Sequence, residues 1–181
     1  MTIHVDTPLQ SICAAVAAEH GFDMPVGVDQ AEELVKNLLE QDEVDRRKLA
    51  AALLILGWTY RWFYRHEEAE RMYVQARGRF TENPLEVNRD TARANWFLAE
   101  SNFFRNNHDV GRTLFWKAIR EFSEATGLFH EEAQACVEDF WHCATGIVKD
   151  DKLAGEIEDV MDFTDFCQAE GCDGHITILA A

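Results

Sequence analysis

Two small residues twelve positions apart, then an aromatic four positions on and an alanine three beyond it, occur twice in this chain. The first set is Gly57, Ala69, Tyr73 and Ala76, and the second is Ala99, Gly111, Phe115 and Ala118, 42 residues later. A small residue on each of two neighbouring helices lets their backbones approach, and large residues around it fill the space so created. Leu53, Leu56, Tyr60 and Tyr73 supply that bulk in the first copy, and Trp96, Leu98, Phe103 and Phe115 in the second. The pattern therefore predicts two antiparallel helical hairpins.

The rest of the chain reads the same way. Its three prolines, at positions 8, 25 and 84, leave long periodic stretches unbroken, and alternation of the strand type is confined to HITIL near the end. The patterning predicts helices over about 8–20, 29–39, 44–63, 66–80, 87–105, 109–124, 130–147 and 151–169. Asp29 followed by Glu32 suggests a capping box for the second of these. RHEE, NNHD and KDD read as turns, and Pro84 closes the first hairpin. The expected organisation is an N-terminal helical segment 1–43, a hairpin-repeat domain 44–170 and a tail 171–181. The segment list fits hairpins stacked side by side, and equally an irregular helix bundle.

Leu53, Leu56, Gly57, Tyr60, Ala69, Tyr73, Ala76 and Pro84 resemble the tetratricopeptide-repeat pattern. The resemblance covers about residues 50–124. It departs from the family in its 42-residue offset and in Asn102, which stands where the first copy has Tyr60. It implies an all-α fold of antiparallel hairpins stacked as a short solenoid, with a protein or peptide bound on the concave face. Length, acidity and layout are also similar to those of small type III secretion chaperones, which would imply a cytoplasmic chaperone holding an export substrate. Mapped from the family, the concave face carries Ala51, Leu54, Trp58 and Arg61 in one unit and Arg93, Trp96, Glu100 and Phe103 in the next. Tryptophans there would take apolar side chains, and the arginines carboxylates. The same spacing also fits rings packed in a core or against a second copy in a homodimer.

A net charge of −16 over 181 residues argues against unaided nucleic-acid binding, which needs a basic footprint, and against an anionic membrane surface. It favours basic partners. No export signal or 18-residue apolar segment is apparent, and five cysteines fit a reducing, cytoplasmic setting. Acidic residues crowd positions 150–173. The competing class is a metal-binding or enzymatic bundle. Cys136 and Cys143 share an apolar stripe with Phe140 and Ile147, which favours buried thiols. Cys167, Cys172 and His175 have weak zinc spacing and lack a placed fourth ligand. No phosphate loop, nucleophile elbow or HExxH motif occurs, so neither metal nor cofactor is expected.

Overall fold

The computed structural model describes residues 8–24, 27–81 and 87–169. Among them every regular element is helical, so the described residues are all-α, the class read from the sequence. The helices are α1 (Pro8–Glu19), α2 (Val28–Leu39), α3 (Arg46–Trp62), α4 (His66–Phe80), α5 (Arg89–Phe104), α6 (His108–Ala125), α7 (Glu131–His142) and α8 (Asp151–Ala169), with a π-helix, Cys143–Val148, continuing α7. The HITIL tail lies outside the described residues. The chain forms two compact units, Met1–Arg79 and Phe80–Ala181.

In the first unit α3 is central. Asp45 caps it by accepting the Lys48 backbone N–H at 3.0 Å. Every residue from Leu49 to Arg61 is buried, the mark of a helix covered on all sides. α1 and α2, which belong to the expected N-terminal segment 1–43, both pack on it. The Tyr60 hydroxyl donates to Glu32 Oε1 at 2.6 Å, tying α2 to the end of α3. Burial, that hydrogen bond and the nearby carboxylate charge push the Tyr60 hydroxyl up to about 12, so it stays a donor at neutral pH. The expected Asp29–Glu32 capping box is not formed. Gly27 is the N-cap of α2 and no side chain caps it; the helix starts at Val28, which places Asp29 within the first turn, where its charge favours the helix dipole.

The hairpin turns of the two units are copies at the same 42-residue offset. Tyr64 (φ 60°) ends the α3 side and Asn106 (φ 61°) the α5 side, both in the left-handed conformation. Around Tyr64, the Arg65 N–H reaches the Tyr60 carbonyl at 2.8 Å and the Tyr64 N–H reaches Arg61 at 2.9 Å. Around Asn106, Asn107 reaches Asn102 at 2.9 Å and Asn106 reaches Phe103 at 3.1 Å. This paired bonding is the Schellman arrangement of helix ends.

The duplicated small residues lie at close helix–helix approaches, with the glycine on opposite helices in the two hairpins. A Cβ on Gly57 would lie 2.6 Å from Tyr73 Cδ1 and 3.2 Å from the Ala69 carbonyl oxygen. A Cβ on Gly111 would lie 2.7 Å from Phe103 Cε2 and 3.0 Å from the Ala99 carbonyl oxygen. The Tyr73 and Phe103 rings are fully buried and have nowhere to retreat. Gly57→Ala is therefore expected to cost a net ~1–2 kcal/mol, overpacking outweighing the gain in helix propensity. Gly78→Ala, where a methyl meets nothing within 4 Å, should instead stabilise by about 0.5–1 kcal/mol. Urea unfolding of the two variants should show midpoints moving in opposite directions.

In the second unit Asn88 caps α5 through a reciprocal pair with Thr91, at 2.9 Å and 3.2 Å. Residues Thr91–Phe103 are all buried. Asn95 Nδ2 on α5 donates to Glu121 Oε2 on α6 at 2.6 Å. α7 runs beside α5 in the same direction, because the start of α5 meets Glu132 and its middle meets Asp139. α8 returns along α6 and α7: Arg112 on α6 pairs with Glu156 at 2.6 Å, and Trp141 Nε1 on α7 donates to Glu158 at 2.8 Å. The helix expected over 130–147 is thus α7 followed by the π-helix. Lys149, at φ 58°, turns the chain, and Asp150 Oδ1 caps α8 by accepting the Lys152 and Leu153 N–H groups at 3.1 and 3.0 Å.

Candidate functional site

All eight side chains expected to line an open groove are buried: Ala51, Leu54, Trp58 and Arg61 in the first unit, and Arg93, Trp96, Glu100 and Phe103 in the second. The expectation of an open concave face at these positions is corrected accordingly. On α5 the reason is visible. The mapped face assumed that one side of each first helix stays uncovered, whereas α7 packs against α5 there. The indole N–H of Trp96 donates to Asp139 Oδ2 at 2.7 Å, and its ring meets Phe122 edge-on at 6.2 Å. Phe103 joins Phe115 and Phe140, whose rings stack at 4.5 Å. In the first unit Trp58 packs against Trp62, with centroids 5.7 Å apart.

Arg93 does meet a carboxylate, as the groove reading required of an arginine, but the carboxylate is internal. Arg93 Nε and Nη2 donate to the two oxygens of Glu132 at 3.0 and 2.6 Å. Arg89 grips the same two oxygens from its own fork, both at 2.8 Å. Asp90 Oδ1 takes Arg93 Nη1 at 3.1 Å. Two positive and two negative charges thus balance where α5 meets α7. Burial raises the Glu132 carboxyl, but the hydrogen bonds and charges of Arg89 and Arg93 outweigh it and hold the group at about 2. The network has the chemistry of a structural ion pair with all its charge matched internally.

The residues of the competing enzyme or metal reading are placed as follows. Cys13, Cys136 and Cys143 are buried free thiols. Burial, with Asp139 nearby, pushes the Cys136 thiol well above its ordinary range, so at neutral pH it lacks the thiolate a nucleophile needs. His142 is exposed while Cys143 beside it is buried. Cys172, His175 and the Cys167 side chain lie outside the described residues. Among the described residues no group of three His, Cys, Asp or Glu side chains is placed to hold a metal ion, and no helix is long and apolar enough to cross a membrane. The acidic run on α8 is partly engaged internally, through Glu156 with Arg112 and Glu158 with Trp141. Asp159, Asp162 and Asp165 face out.

What the surface offers instead is the turn between α3 and α4. Trp62, Phe63 and Tyr64 are 41, 50 and 77% exposed, three aromatic side chains in succession. The turn is firmly held. Arg65 lies over the Tyr60 ring at 4.2 Å, pairs with Glu68 at 3.1 Å and reaches Glu32 at 3.9 Å. The equivalent turn in the second unit exposes Phe104, but has Arg105 and Asn106 at the positions of Phe63 and Tyr64. The sequence signal for this surface is the break in the duplication itself: aromatics at 63 and 64 that the second copy lacks. No family model, curated protein or solved structure matches the chain.

Proposed function

We propose that the chain is a cytoplasmic helical-repeat protein of the tetratricopeptide type that acts by binding other polypeptides, as an adaptor or chaperone. The observation that carries the reading is the hairpin repeated at a 42-residue offset, down to its close glycine contact and its Schellman turn. Units of this kind bury one face against the next and present the rest to partners. The side-by-side course of α5 and α7 has a nearly equal offset, 43 residues for Arg89–Glu132 and for Trp96–Asp139, as expected of hairpins stacked into a short solenoid. The inner face of α5 is used up in that stacking, so partner recognition falls to turns and outer faces. A net charge of −16 favours basic segments in the partner.

The test is recovery of the tagged full chain from its native lysate, identification of the bound polypeptide, and reconstitution of the pair from purified components. A complex of fixed stoichiometry supports the reading. A chain that elutes alone from gel filtration when mixed with each recovered polypeptide contradicts it.

A further inference from the structure

We infer that the Trp62–Phe63–Tyr64 turn is a docking platform for a short cationic, apolar segment of a partner protein. The first observation is Tyr64 itself. It sits at φ 60°, a conformation that glycine and asparagine adopt readily and a bulky aromatic residue does not. The second hairpin places Asn106 at the equivalent point of the same turn. Tyr64 is 77% exposed, so burial does not compensate for its backbone, and its ring meets His66 edge-on at 6.3 Å. A strained, exposed aromatic in a firmly bonded turn points to a contact made outside the chain.

The second observation is what surrounds the platform. Glu32 and Glu68 stand beside or just after the turn, where Arg65 engages both and Arg71 also acts on Glu68, within a chain of net charge −16. Carboxylates around open aromatic faces match Lys or Arg heads, through ion pairing and cation–π attraction, and apolar side chains between them. Size narrows the occupant further. The exposed parts of the three rings amount to roughly 300 Å², well short of the ~800 Å² per partner of a stable domain interface. A second copy is disfavoured on that ground, and it would bring the same −16 charge. The inference rests on the polypeptide-binding reading only in taking the ligand to be a protein segment.

The test uses the full chain and a fluorescein-labelled decapeptide of alternating Arg and Leu, with Glu–Leu and Arg–Ser decapeptides as controls. The Arg–Leu peptide should bind, and Phe63→Ser/Tyr64→Asn should weaken it at least tenfold while Glu–Leu fails to bind. Tyr64→Asn alone should weaken binding and yet lower the unfolding equilibrium constant about fivefold, opposite to the effect of removing a structural residue. Equal binding of the Arg–Leu peptide by wild type and double variant would overturn the proposal, as would its failure to bind wild type. Arg–Ser binding as tight as Arg–Leu would reduce the attraction to bulk charge. Aromatic-dependent binding to phosphatidylcholine vesicles in place of peptide would reassign the platform to a lipid surface. A chain that captures a partner natively but ignores the peptide overturns the platform and leaves the adaptor reading standing.

Discussion

Glu132→Gln should destabilise the second unit by about 3–5 kcal/mol, because it leaves a fully buried Arg93 facing an amide that is part donor. The midpoint of thermal unfolding should fall by roughly 10 °C or more. Arg93→Met/Glu132→Leu should recover much of the loss, since an apolar pair removes both charges together, while Arg89, half exposed, turns to water. The pH dependence has a definite sign. The folded carboxyl titrates at about 2, below its ordinary 4.5. The stability it contributes is therefore fully present above about pH 4.5 and is lost as the pH falls from there towards 2, by up to roughly 3 kcal/mol. The gap between wild type and Glu132→Gln should be constant between about pH 6 and 8 and narrow on acidification. A gap that is flat down to the lowest pH at which the protein folds would contradict the ion-pair account.

Trp96→Ala should cost about 3–5 kcal/mol through the cavity left by a fully buried indole. Trp96→Phe should cost less, about 1–2 kcal/mol, for the lost hydrogen bond to Asp139. Near-ultraviolet circular dichroism and urea unfolding check both. A Trp96 lining an open groove would instead give a variant that folds normally and loses only its ligand. If Trp96→Ala keeps wild-type stability, the interior placement of the α5 face fails.

The helices themselves were legible. α4 runs His66–Phe80, the span the patterning and the flanking Pro84 suggest, and α3, α5 and α6 end within two residues of expectation. The small-residue spacing also read true at Gly57 and Gly111, because a missing Cβ at a helix crossing leaves a direct mark in sequence. The start of α2 was misread because an acidic residue in the first turn looks the same as one at the cap. The break of α7 into a π-helix at Cys143 depends on backbone bonding that periodicity does not register.

The interior of α5 was misread for a deeper reason. Helical periodicity says which residues share a face, and says nothing of what covers that face. Arg93, Trp96 and Glu100 read as polar and aromatic enough for a groove, and the residues that bury or satisfy them, Glu132 and Asp139 among them, lie about forty positions away. Trp62, Phe63 and Tyr64 read as the end of the helix that carries Trp58, reaching toward the turn; the structure ends α3 at Trp62, puts Tyr64 in the left-handed conformation and leaves all three exposed.

Native mass spectrometry of the full chain, isolated gently from its own cell, tests the central claim most directly, since it weighs polypeptide, metal and small cofactor together. The account predicts the 20.7 kDa chain joined to a different polypeptide in fixed stoichiometry. A population carrying instead a stoichiometric metal or small molecule and no second polypeptide would contradict it.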